Sequence, residues 1–263
     1  MTVQNCLNCE KQLTDAYCSG CGQKADTHRI TIKNFIFHDL LHGVFHIEKG
    51  IVFTAKQALI CPGTAALEYI SGKRKRYYNV FYLVLIAIGI KLFFHEIFDF
   101  LIYQGNEPVQ HPPYLNDASR KINEIFSQKT KIILFLFVPF AALNTFMLFR
   151  RKRLNLSEHA IISGMILVGI LLVATLGDFL FYFNLTAFFS GTALSIVVAA
   201  VITFYVAYGY FNAFGTDYTR LGTAYRILLF FTLICFEVAI LTFILIGFVT
   251  HWKFGAISIA PFG

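Results

Sequence analysis

Cys6, Cys9, Cys18 and Cys21 stand in a C-x2-C-x8-C-x2-C spacing. Each C-x2-C pair can set two thiolates on one side of a tight turn. Two such turns make a tetrahedral sulfur cage suited to zinc. Gly20 and Gly22 beside the second pair allow the positive-φ backbone such a turn needs. The first pair has Glu10 where a zinc ribbon often has glycine. Four cysteines close the coordination shell and leave no position for water, so the zinc is read as structural. A segment this short cannot build a hydrophobic core, and metal binding is expected to supply its folding energy. Two disulfides are the competing reading, which the cytoplasmic address argued below disfavours.

A second set of reactive side chains follows. His38, His42 and His46 recur at i, i+4 and i+8, so a helix would carry them on one face. Imidazoles at that spacing suit a second metal or a proton relay. A polar-aromatic stripe at the headgroup boundary is the preferred reading, because no acidic residue completes an H-E-x-x-H pattern. Glu158 and His159 are expected at the same depth, within reach of His42 and His46. Lys91, His95, Glu96, Asp99, Asp178 and Glu237 lie within or beside long apolar runs. Ionisable groups in lipid are costly, and either serve an ion path or metal site, or pair inside the bundle. Pairing is favoured for Lys91 and Glu237, which fall at similar depths on the first and fifth apolar runs. The outer group of His95, Glu96, Asp99 and Asp178 is left open between the two roles. Cys61 and Cys235 have no base at a telling spacing and are read as packing residues.

The elements that must position these groups are membrane helices. Of 263 residues, 57% are hydrophobic and only 14% charged, against roughly 25% charged in a soluble domain. Five apolar runs approach span length: about 79–103, 131–149, 159–183, 188–211 and 227–250. Upstream, Ile32, Phe35, Ile36, Leu40, Val44 and Ile47 alternate with charges at helical spacing, the pattern of an interfacial helix. Two short helices, near 52–60 and 64–71, follow and are expected to lie against the cytoplasmic leaflet. The chain therefore divides into a zinc ribbon (1–27), membrane-surface helices (28–78) and a five-span bundle (79–263).

Charge sets the orientation. Eight of the 22 Lys and Arg residues form two blocks, Lys73 to Arg76 and Arg150 to Arg153, each abutting an apolar run. Such blocks stay cytoplasmic and face anionic lipid headgroups. Arg220 and Arg226 fall on the same side, which puts the amino terminus inside and the carboxyl terminus outside. The stretch 104–130, with three prolines and mixed charges, is expected outside the cell membrane. No signal peptide is visible in the polar first twenty residues.

No nucleophile-elbow, phosphate-loop or dinucleotide fingerprint occurs. The ribbon's basic residues are Lys11 and Lys24 alone, which disfavours a nucleic-acid partner. Cys6-Leu-Asn-Cys9, Cys18-Ser-Gly-Cys21-Gly22-Gln23, His42-Gly43, Glu48-Lys49-Gly50, Pro62-Gly63, Tyr69-Ile70, Gly72-Lys73-Arg74-Lys75-Arg76-Tyr77 and Glu158-His159 together resemble an uncharacterised bacterial family of membrane proteins with an amino-terminal zinc ribbon. The resemblance covers roughly the first 160 residues and brings no activity with it. The preferred reading is a non-enzymatic inner-membrane protein whose ribbon and surface helices receive a cytoplasmic or membrane protein partner. The alternative is a small-solute or ion transporter, or an intramembrane enzyme, using the buried histidines and carboxylates.

Overall fold

A computed structural model describes residues 5–25, 50–103, 117–182 and 191–252. The described chain is helical beyond the cysteine module: α1 (Ile51–Ile60), α2 (Pro62–Ile70), α3 (Val80–Tyr103), α4 (Asp117–Leu148), α5 (Leu156–Tyr182), α6 (Gly191–Phe214) and α7 (Arg220–Val249). Four helical stretches are long and apolar enough to cross a membrane: Val80–Phe98, Leu156–Leu180, Ala193–Phe214 and Arg220–Val249. The apolar stretch of α4, Leu136–Leu148, is shorter.

α5 is the hub, packing against α1, α2, α3, α4 and α6. Over half of its most apolar window is buried (56%), against 11% for α7. α5 is therefore the core of the bundle, and α7 turns most of its apolar surface outward. Local sequence starts these helices. Asn155 Oδ1 accepts from Glu158 N–H (2.9 Å) and Glu158 Oε2 accepts from Asn155 N–H (2.7 Å). This reciprocal capping box satisfies two of the amide donors that a helix start leaves unpaired. Thr219 caps α7 by accepting from Gly222 N–H at 3.1 Å.

The two short helices stand where the sequence places them, within two residues. α1 and α2 form a tight hairpin, with Pro62 opening α2 directly after Cys61. The hairpin packs against α5 and α6. Small residues make this possible: Ala58, Ala65 and Ala66 are fully or almost fully buried. A Cβ on Gly63 would sit 2.3 Å from Ala213 N and 2.5 Å from Gly209 O, so α2 meets the α6 backbone directly. Four hydrogen bonds hold the contact. Thr64 N–H donates to Asn212 Oδ1 at 2.7 Å, its hydroxyl donates to the same oxygen at 3.0 Å, and Tyr208 O–H donates to Ile60 O at 3.0 Å. Tyr205 O–H donates to Ala58 O.

α4 differs from expectation. It begins at Asp117, so residues 117–130 are helix rather than connecting chain. Ile122 in this stretch is fully buried. The surface helix expected over 29–49, the outer turn near 184–187 and the carboxyl-terminal tail lie outside the described residues.

Candidate functional site

The cysteine module consists of two copies of one turn. Cys6 N–H donates to Lys11 O and Glu10 N–H to Cys6 O, both at 2.8 Å. Cys18 N–H donates to Gln23 O and Gly22 N–H to Cys18 O, again at 2.8 Å. Isolated antiparallel bridges, Asn5 with Gln12 and Tyr17 with Lys24, close the two turns. All four sulfurs lie within 4.8 Å of one another. Cys6 and Cys21 are 3.6 Å apart, and Cys9 and Cys18 are 3.5 Å apart. A disulfide would bring sulfurs to about 2.0 Å. Tetrahedral metal–sulfur bonds of about 2.3 Å set them roughly 3.8 Å apart. The cage thus has metal-site spacing, and the four residues could hold a metal ion. Backbone N–H groups of Cys21 and Gly20 point at the Cys18 sulfur and hold its thiol below the ordinary range.

The two turns differ at one matched position. Gly22 has φ +72° and Glu10 has φ +64°. A non-glycine residue in the left-handed region costs about 1–2 kcal/mol. Glu10 is exposed, and its replacement removes little packing. Glu10→Gly is expected to relieve strain by more than it loosens the unfolded chain. The net gain of about 0.5–1 kcal/mol corresponds to a two- to five-fold higher metal affinity. Chelator competition on the full chain checks this; equal or weaker affinity counts against the strain argument.

The module does not hang free of the helical bundle. Gln23, 6% exposed, uses both ends of its amide on the loop between α2 and α3. Its Nε2 donates to Gly72 O at 2.7 Å, and its Oε1 accepts from Lys75 N–H at 3.2 Å. Leu7 packs on Gly72, where a Cβ would lie 2.6 Å from Leu7 Cδ1. The basic block is also built into this corner. Lys73 pairs with Glu68 at 3.0 Å, and Arg76 stacks on the Phe53 ring 4.6 Å from its centroid. Tyr77 O–H donates to Glu68 Oε2 at 2.6 Å. That bond, then the Lys73 partner, hold the Glu68 carboxyl below its ordinary range.

The second basic block closes the bundle at the ends of α4 and α6. Lys152 Nζ donates to Asp217 Oδ2 (2.8 Å) and to Ala213 O (3.1 Å). Arg226 Nε donates to Leu148 O at 3.1 Å, capping the exposed carbonyls of α4. Arg151 and Arg226 lie over the Tyr218 ring at 4.9 and 4.1 Å.

The charges within the long apolar helices are arranged differently from the sequence expectation. Lys91 does not meet Glu237, and α3 does not pack on α7. Lys91 Nζ donates to Asp178 Oδ2 on α5 at 2.5 Å. The reason is an axial offset. Val80 at the start of α3 packs on Gly164, well inside α5 rather than at its start. Counting 11 residues from Val80 to Lys91 and 14 from Gly164 to Asp178 gives rises of about 16 and 21 Å, a gap a lysine side chain spans. Glu237 instead accepts from Asn144 Nδ2 of α4 at 3.0 Å.

Glu158 and His159 separate in role. Glu158 serves the capping box. The His159 ring, 1% exposed, shares a 3.0 Å hydrogen bond with Thr145 Oγ1, stacks on Phe214 and meets Phe146 edge-on. Glu96 is exposed on α3. His38, His42 and His46 lie outside the described residues, as do the side chains of His95 and Asp99. The sequence reading missed Gln23, Asn144 and the close contact of Gly63. The last had a signal: Gly209-x-x-x-Ala213 is the small-x-x-x-small pattern that lets membrane helices approach closely.

Fold and site together define an all-helical protein with several helices fit to cross a membrane and a four-cysteine cage able to hold a metal ion. Residues 48–90 match the family described as Protein of unknown function (DUF3667). The match covers the α1–α2 hairpin, the basic loop and the first half of α3, and does not include the four cage cysteines. No match is found among curated proteins or among solved structures.

Proposed function

We propose that this chain is a non-enzymatic integral protein of a bacterial inner membrane whose zinc-bearing ribbon presents a fixed docking surface to a cytoplasmic partner. The observation that carries the reading is the two-ended grip of Gln23 on Gly72 and Lys75. It joins the cage to the membrane domain, so the ribbon and the basic loop offer one continuous surface. Four cysteines and no open position make the zinc structural. Tyr17, 61% exposed on the ribbon, is the kind of aromatic anchor that dominates interfaces. Transport of a polar solute is less well supported, because the groove around Glu237 is lined almost wholly by apolar side chains.

A photoreactive residue at position 17 of the full chain, irradiated in cells, tests the docking surface. A discrete crosslinked protein, lost when Gln23→Ala frees the ribbon from the loop, is the expected result. Crosslinks that are absent, or unaffected by freeing the ribbon, count against a fixed docking surface.

The membrane arrangement we propose has five spans, with the ribbon in the cytoplasm and the carboxyl terminus outside. α4 supplies the fifth: its apolar sequence extends back from Leu136 to Ile132, giving 17 residues to Leu148, at the lower limit for a crossing. Exposed Lys75, Arg150, Arg153 and Arg220 then face anionic headgroups. Reporter fusions at Gly105, Lys152 and Gly263 are expected to read outside, inside and outside. A cytoplasmic signal at Gly263 would require an even number of spans.

A further inference from the structure

Helices α4 to α7 enclose a groove of about 520 Å3, within the 300–1,000 Å3 of ordinary ligand pockets. Its walls are apolar, with Phe137, Phe140, Leu167, Ile202 and Phe230 among them, and one carboxylate, Glu237, faces into it. Thr203 and Thr242 also line it; the Thr203 hydroxyl is turned to Ala199 O of its own helix at 2.8 Å. Leu136, Val238 and Leu241 on the lining are exposed, so the groove opens sideways toward the bilayer.

A carboxylate in this setting lacks a matching charge. A lone ionised group near the bilayer centre costs about 2.5–3.5 kcal/mol. Among the described residues, the hydrogen-bond partner of Glu237 is the neutral amide of Asn144, itself 2% exposed. Lys91 of α3 is held by Asp178, and Arg226 in the first turns of α7 is engaged by Leu148 O and Gly222 O. An ionised carboxylate is acceptor-only, so the complementary head is a donor. A cationic donor also supplies the missing charge and forms the stronger, charge-assisted bond. The apolar walls ask for a hydrocarbon body.

We propose that this groove binds a cationic amphiphile drawn laterally from the bilayer, with its primary ammonium against Glu237 and its alkyl chain along the walls. Asn144 is a positioning residue that holds the carboxylate toward the groove. The site is separate from the ribbon and independent of any partner docked there.

The test uses the full chain in phosphatidylcholine nanodiscs and a diazirine-bearing dodecylamine as photoprobe. Labelling is expected to saturate and to map to α4 and α7 peptides lining the groove. Unlabelled dodecylamine should compete at least ten-fold better than dodecanol or dodecanoate. Glu237→Gln, nearly isosteric and still able to accept from Asn144, should lower labelling about ten-fold. Thr203→Phe, which leaves Glu237 in place and fills the groove, should do the same. Labelling spread evenly over the lipid-facing helices overturns the proposal. So does equal competition by dodecanoate, a wild-type measurement that no folding defect can obscure.

Discussion

Serine in place of Cys18 is expected to strip the metal from the cysteine cage and unfold residues 5–25 as a unit. The segment has little else to hold it. Its buried side chains include two cysteines and Gln23, and its regular structure amounts to two isolated bridges. Structural zinc contributes about 10–16 kcal/mol of apparent binding energy in small modules of this kind, and that energy is folding energy. Loss of one thiolate opens the shell, at a greater cost than the roughly 10–100-fold that losing an outer-shell partner brings. Metal analysis should fall from one equivalent to near none, with limited proteolysis cutting within residues 5–25. Chelation of the wild type should produce the same cleavage. The helices should stay protected, because their packing runs through α5 and does not use the cage. A full equivalent of metal in Cys18→Ser, or unchanged proteolysis, would sink the assignment.

The second large effect is expected at Gly63. A Cβ there would meet Ala213 N at 2.3 Å, Gly209 O at 2.5 Å and Ala213 Cα at 2.8 Å. These are backbone atoms of α6 and cannot turn aside. Gly63→Leu must push α2 away from α6, at about 1–3 kcal/mol for overpacking alone. The displacement also breaks the Thr64, Tyr205 and Tyr208 hydrogen bonds, each worth about 0.6 kcal/mol in a membrane protein. Together the loss comes to about 3–5 kcal/mol, or a midpoint lower by about 10 °C in detergent on the scale of soluble domains this size. Gly209→Ala makes the informative comparison. Its Cβ would meet side-chain atoms of Ile166 at 2.9 and 3.0 Å and of Pro62 at 3.2 Å, which can give way, so its loss should be smaller. A Gly63→Leu protein that melts like the wild type would mean the hairpin is not seated on α6.

Much of this molecule can be read from one dimension. The C-x2-C pairs specify a sulfur cage because the spacing itself makes the turn. Long apolar runs mark the helices fit to cross a membrane, because lipid admits few alternatives to a helix. The two short helices near 52–60 and 64–71 were legible from the sequence, whereas the Asn155–Glu158 capping box that starts α5 emerged only with the structure. Partner choice was a different matter. Lys91 could be placed in a helix but not against Asp178, since that contact depends on how far α3 is shifted along α5. Glu237 could be recognised as an acid in an apolar run, but not as the one charged wall of an apolar groove. The hairpin's seat on α6 and the Gln23 grip on the basic loop were likewise decided by tertiary structure. The physical reason is common to all four. A helix in lipid can be apolar on every side, so hydrophobic periodicity no longer says which face is buried. Rotation and axial offset are then set by small residues and a few polar contacts between segments distant in sequence, and those exist only once the helices have packed.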